Sequence, residues 1–269
     1  MEITLTTKEK INFLDALSLY ADGRLTQINN KIDNSKNIQL HTILQLGIAM
    51  NHYFKSLVSS LETSNIIAAN VLLRSLVETF INIEYIMQDD TQKRSVFFMF
   101  EDFRTQILNL RTIKNLILTK PNETELFPEL STIEKCDAQF EKIDNAKKGI
   151  ISILKNDFNI EIAESEFNKK FPSIEQCANE AGLRDIYNIL YRQLCLVAHL
   201  GASGLKKIIK FEDNGYIIPP IDIEEETKEI LVIAYDIYRL TIEDLMKKFN
   251  LIIEEDFKSL ENISKKLKI

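Results

Sequence analysis

Ser64-Asn-Ile-Ile-Ala-Ala-Asn-Val-Leu-Leu-Arg-Ser-Leu-Val-Glu-Thr-Phe-Ile-Asn-Ile-Glu-Tyr-Ile-Met87 is the stretch on which the fold turns. Ile66, Ile67, Val71, Leu72, Leu76, Val77, Phe80 and Ile83 recur at three- and four-residue steps and surround almost every turn of a helix. A helix that is apolar nearly all round is a buried one, so this segment is expected at the centre of the molecule.

The same period extends outward in both directions. Upstream, Thr6-x-x-Glu9 has the form of a capping box, and Ile11, Leu14, Leu17 and Leu25 follow on one face of a helix to about Lys31; a second helix is predicted over 38–61. Downstream, Asp89-Asp90-Thr91 breaks the chain before a helix with Val96, Phe97, Phe100, Phe103, Ile107, Leu110 and Ile117. Pro121 to Pro128 reads as a loop, and Ser131-x-x-Glu134 is expected to open a polar helix to about Asp157. Ser173-x-x-Gln176 begins a short helix, which Gly182 separates from another over roughly 184–200.

One section departs from this period. Ile208 to Phe211 and Tyr216 to Ile218 are short β-prone runs around an Asn-Gly turn, closed by Pro219-Pro220. Helical spacing then resumes over 223–249, with Ile230, Ile233, Ile237, Leu240 and Leu245 on one face, and over 254–268. With seven glycines and five prolines in 269 residues, the chain lacks the turns of a sandwich or barrel. The expectation is all-α: a single helical-bundle domain over 1–269, its core at about 38–250, with terminal helices packed on it and a small β-hairpin inserted near 207–218.

Composition excludes several function classes. A formal net charge of −7 opposes binding nucleic acid over the whole surface, although a local basic patch remains compatible with it. Cys136, Cys177 and Cys195 are too few and too unevenly spaced for a disulfide framework or a four-thiolate zinc site, so they read as reduced thiols. The start Met1-Glu2-Ile3-Thr4 lacks the features of a secretory signal, and the stretch 37–54 carries too many amides and histidines for a membrane span. A cytoplasmic protein without a membrane segment is expected. His-Glu-x-x-His, paired Cys-x-x-Cys and phosphate-cradling glycine patterns are missing, so neither a metal nor a cofactor is expected. His41 and His52 are eleven residues apart on one predicted helix, too far to share an ion, and read as packing or surface side chains.

Two groups of residues could carry chemistry. Arg74 and Glu78 lie one turn apart within the apolar helix, about 40° around its axis, and burying them among leucines requires that they pair or reach a polar cavity. The second group is Tyr191-Arg192-Gln193-Leu194-Cys195-Leu196-Val197-Ala198-His199, near the end of a predicted helix. Seven residues at about 100° each bring Arg192 and His199 to one face, with Cys195 expected between them. Lys206, Lys207 and Lys210 follow closely as the best-placed local basic group, and each reads first as part of a solvated hairpin edge.

The Arg192-x6-His199 spacing resembles the Arg-x4–6-His signature of HEPN-superfamily proteins, all-helical domains of prokaryotic toxin, antiphage and CRISPR-associated ribonucleases. Arg74-Ser-Leu-Val-Glu78 followed by Tyr191 to His199 also resembles a related bacterial family of helical proteins of uncharacterised function, over roughly 40–245. Where HEPN nucleases commonly carry Asn, His or Asp directly after the motif arginine, this chain has Gln193. The resemblance implies metal-independent RNA cleavage, with His199 as acid or base and Arg192 on the scissile phosphate. Arg74, Glu78, Tyr191 and Gln193 would support that pair, and Lys206, Lys207 and Lys210 would hold flanking RNA. It further implies a homodimer with a composite cleft, and an antitoxin or defence-system partner. The competing expectation is a catalytically inert interaction module in which Arg74, Glu78, Arg192 and His199 form a buried network that fixes one packing.

Overall fold

The apolar stretch at 64–87 forms a helix that starts where its own side chains permit. In the computed structural model, which describes residues 6–32, 36–88, 92–120, 128–163, 166, 169–198, 210–212, 215–217 and 223–251, Asn65 caps this helix by accepting from the Ala68 amide at 3.1 Å. The helices are α1 (Thr7–Ile32), α2 (Ile38–Glu62), α3 (Ile66–Met87), α4 (Lys93–Thr119), α5 (Ile133–Phe158), α6 (Ile174–Glu180), α7 (Arg192–Ala198) and α8 (Ile223–Lys248). A 3₁₀ turn at Pro128–Leu130 precedes α5, and a π-helical segment, Ile186–Tyr191, precedes α7. Between α7 and α8, Lys210–Glu212 and Gly215–Ile217 pair antiparallel, with Phe211 opposite Tyr216. The protein is all-α in class.

Two of the three capping boxes form as spaced. The Thr6 amide donates to Glu9 at 2.7 Å while the Glu9 amide donates to the Thr6 hydroxyl at 3.3 Å. Ser173 and Gln176 close the same reciprocal pair ahead of α6. The third shifts by one residue: Thr132, in extended backbone, caps α5 through the Lys135 amide, and the Ser131 hydroxyl instead donates to the Pro128 carbonyl at 3.0 Å. The turn before the helix uses up Ser131, leaving the cap to its neighbour. Gly182, with φ of +76°, makes the left-handed turn between α6 and the next helical run. The expected loop at 121–127 and the expected helix at 254–268 lie outside the described residues.

The chain packs as two compact units, one containing residues 43–88 and 173–269 together with 1–34, the other residues 35–42 and 89–172. In the first unit α3 lies against α6, α7 and α8, and α1 lies against α8. Leu14, Phe54, Leu73, Leu76, Ile83 and Tyr238 are fully buried there. By length and composition α3 could cross a bilayer, but more than half of its apolar window is buried by its own fold. α2 approaches α1 and α8 at Gly47, where a Cβ would come within 2.8 Å of Leu245 and 3.1 Å of Leu25, so glycine permits the contact. Lys31 donates to the carbonyls of Phe249 and Asn250 at 3.0 and 3.2 Å, covering groups that α8 leaves open at its end.

The second unit is held by Ile38, Val96, Phe100 and Leu154, with Phe103, Ile150 and Phe158 packed around them. His41 meets Phe158 edge-on, with ring centroids 5.9 Å apart.

Candidate functional site

Arg74 and Glu78 project from α3 towards the run that contains Tyr191 and Cys195. The Tyr191 hydroxyl accepts from Arg74 Nη2 at 3.2 Å and donates to Glu78 Oε2 at 2.9 Å, standing between two side chains whose own charged atoms are 3.6 Å apart. Arg74 Nε donates to Cys195 Sγ at 3.2 Å, and the guanidinium also lies 5.5 Å from the centre of the Tyr191 ring. Tyr187 completes the group by stacking on Tyr191, with centroids 5.5 Å apart and planes 26° apart.

Burial decides how these groups ionise. The Arg74 and Glu78 side chains are 25% and 42% exposed, so neither charge is sealed from water. Burial works against the Arg74 charge, but its hydrogen bonds to Tyr191 and Cys195 outweigh that cost and hold the guanidinium protonated more firmly than usual. Burial above all pushes the Tyr191 hydroxyl well beyond the ordinary phenol range; the Arg74 bond pulls it back, and the Glu78 charge adds to the rise. Tyr191 therefore stays neutral at physiological pH and acts as a hydrogen-bond bridge rather than a proton carrier. Tyr187 is raised as well, first by burial and then by the charge of Glu175, which also holds its hydroxyl.

The structure brings Arg74, Glu78 and Tyr191 together and adds Cys195. It does not bring Arg192 or Gln193 into that group: both are exposed at the start of α7. Cys195, which the sequence reading places between Arg192 and His199, faces Arg74, and Arg192 is exposed. The expected regular helix over 184–200 is also replaced by a π-helical segment up to Tyr191, whose wider turn shifts the register that 100° per residue assumes. His199, Lys206 and Lys207 lie outside the described residues, and Lys210 opens the first strand of the hairpin pair. Among the described residues, no group of three or more His, Cys, Asp or Glu side chains gathers to hold a metal ion.

Sequence spacing missed two features. Asn51 Nδ2 and Lys55 Nζ both donate to Asp22, and the Tyr238 hydroxyl donates to Asn51, joining α1, α2 and α8 through side chains as far as 187 residues apart. Only the polarity of Asn51 within an apolar stretch hinted at it. The second is Glu84 on α3, whose Oε1 is buried with no hydrogen-bond partner among the described residues. Burial, reinforced by the Asp244 charge and partly offset by Lys247, pushes its carboxyl up to about 7.

These observations define an all-helical protein with a half-open Arg–Tyr–Glu bridge between α3 and the segment leading into α7. The chain belongs to the Family of unknown function (DUF5677), whose model matches residues 41–217 and so includes both halves of the bridge. No curated protein and no solved structure matches the chain.

Proposed function

We propose that the protein is a HEPN-like, metal-independent RNA endonuclease or toxin-type effector of the cytoplasm, acting in antiphage defence as a homodimer. The observation that carries this reading is Arg192, an exposed guanidinium without an ion pair or hydrogen bond among the described residues, on a segment that Arg74 and Glu78 hold through Tyr191. An exposed arginine that forms no ion pair or hydrogen bond among the described residues, on a braced helix, suits a phosphate, which a guanidinium grips with paired donors. The resemblance supplies the other half of the pair, His199, whose imidazole exchanges protons at neutral pH.

In the proposed reaction the ribose 2′-hydroxyl gives its proton to a base and attacks the neighbouring phosphorus. The bond to the 5′-oxygen breaks, that oxygen takes up a proton, and the products are a 2′,3′-cyclic phosphate and a 5′-hydroxyl. Arg192 stabilises the charge on the five-coordinate phosphorus, and His199 carries one of the two protons. Arg74, Glu78 and Tyr191 are positioning residues, with Gln193 beside the arginine; Lys206, Lys207 and Lys210 hold flanking phosphates. An antitoxin or defence-system protein is the proposed regulator.

The inert interaction module is the second reading, favoured by the closure of Arg74, Glu78, Tyr191 and Cys195 on one another. An RNA-cleavage and growth assay separates the two. Wild type is expected to cleave RNA and slow growth, and Arg192→Ala and His199→Ala to lose both while melting within a few degrees of wild type. A wild-type protein that leaves RNA intact and growth unchanged removes the nuclease reading.

A further inference from the structure

The second unit holds a cleft of about 700 Å³, the size of a small-molecule site, walled by α4 and α5 and bordered at one end by the 3₁₀ turn. Asn109, Leu110 and Ile113 line it from α4, and Gln139, Lys142 and Ile143 from α5. Lys114, near the end of α4, pairs with Asp137, near the start of α5, while Val96 and Phe100 at the other end of α4 pack with Leu154, so the two helices run antiparallel. Asn109 and Lys142 therefore stand together at the end of the cleft away from the turn, and Ile113 lies towards Leu130 of the turn. Leu110 and Ile143 are buried, Ile113 and Leu130 half-buried, so the floor is apolar.

We propose that this cleft binds a small amphiphilic anion, an aliphatic carboxylate, with its head at Lys142 and its chain laid over Leu110, Ile113 and Ile143 towards the turn. The proposal is independent of the RNA reading. Lys142, Asn109 and Gln139 form no hydrogen bond or ion pair among the described residues, so an ammonium and two amides at one end have donors to give a carboxylate. The charges along the cleft favour an anion and orient it. Lys135 also lines it, and its Nζ is held by two neutral oxygens, the Pro128 carbonyl at 3.1 Å and the Ser131 hydroxyl at 3.3 Å, which leave its charge unbalanced. The acid in the lining is Glu129, on the turn, where it repels a second carboxylate and so assigns the head to the Lys142 end. Asp137 and Asp144 on α5 are already paired, with Lys114 and Lys148. From Lys135 to Lys142, α5 advances by about 10 Å, so the apolar floor suits a chain of medium length rather than a short acid.

The test is isothermal titration calorimetry of the full chain with decanoate, with butyrate, and with decyltrimethylammonium, which keeps the chain and reverses the charge. Wild type is expected to take up decanoate saturably at one site, and butyrate at least about 10-fold more weakly because most of the apolar contact is gone. Decyltrimethylammonium should also bind at least about 10-fold more weakly, since the lysines repel it. Lys142→Gln should weaken decanoate about 5-fold, as expected of a half-open charge pair, and Lys142→Arg should keep it. Ala138→Trp, at an exposed position of the lining, fills the cleft without emptying the core and should abolish binding. Lys148→Gln, on α5 but outside the lining, should bind as wild type does. No saturable uptake of decanoate by wild type would overturn the proposal. So would equal binding of decyltrimethylammonium, unchanged binding by Ala138→Trp, or an equal loss in Lys148→Gln and Lys142→Gln. None of these results bears on RNA cleavage, which Arg192→Ala and His199→Ala test separately.

Discussion

The unit around α3 and the unit built on α4 and α5 treat polar groups in opposite ways. In the first, polar side chains close on one another within the packing: Tyr191 joins Arg74 to Glu78, and Tyr238 joins Asn51, itself held to Asp22. In the second, most of the polar surface is left to solvent. The 3₁₀ turn, α4 and α5 border a cleft of about 700 Å³, with Leu110 and Ile143 buried in its lining and Asn109 and Lys142 exposed beside them. Chemistry-bearing groups gather where helices cross over one apolar helix, because a polar atom there must find a partner within the protein, and partners drawn from several helices fix one geometry. On α5 the polar side chains pair at the surface instead, Asp137 with Lys114 and Asp144 with Lys148, each at 2.6 Å, where solvent screens them and no single geometry is imposed.

Four measurements would break or sharpen that contrast. The largest effect belongs to the packed core. Phe54 is fully buried and stacks on Tyr238 at 3.9 Å, so Phe54→Ala should lower stability by about 3–5 kcal/mol in urea unfolding. A loss below about 1 kcal/mol would show that the first unit is not tightly packed there. Next is Tyr191→Phe, which keeps the ring but leaves Arg74 and Glu78 without their bridge. A cost of about 1–3 kcal/mol is expected; stability equal to wild type would mean that water replaces the hydroxyl and the closed network is unimportant.

Glu84 gives the third effect, read against pH. Its folded carboxyl titrates at about 7 against an unfolded value of 4.5, so the folded state holds the proton more tightly. Stability should fall as pH rises from about 4.5 to about 7 and then level off. Glu84→Gln should flatten that slope and melt above wild type at pH 8; parallel curves for the two proteins would refute the shift. The smallest effect is in the second unit. Glu101 accepts from Arg104 at 2.8 Å and from the Phe171 amide at 3.1 Å, and above all the Arg104 bond holds its carboxyl below the ordinary 4.5. Its contribution is present above pH 4.5 and lost as pH falls through the lowered value. Glu101→Gln should cost under about 1 kcal/mol at pH 7, because solvent screens so open a pair, and nothing at pH 2. A larger loss would mean that the second unit also depends on internal polar contacts.

Much of the fold was legible in the chain because its signals are local. The apolar period of α3, the reciprocal pairs Thr6–Glu9 and Ser173–Gln176, and the turn at Gly182 each involve residues within a few positions of one another. The α5 cap was misplaced by one residue because Ser131 and Thr132 are both competent, and a contact to Pro128 chose between them. For the site, the pairing of Arg74 with Glu78 follows from spacing along one helix, whereas Cys195 facing Arg74 does not. The latter is a contact across 121 positions, between α3 and α7, and no local period contains it.

The sequence by itself determined that the chain is helical, where most helices begin, and that Arg74 and Glu78 share a flank, since backbone hydrogen bonding and side-chain period act over one or two turns. Only the tertiary structure decided that Tyr191 would bridge those two charges, that Asn51 would meet Tyr238, and that Glu84 Oε1 would be buried without a hydrogen bond among the described residues. Those outcomes depend on which helices cross and at what register, a balance of packing over the whole unit that no short stretch of chain contains.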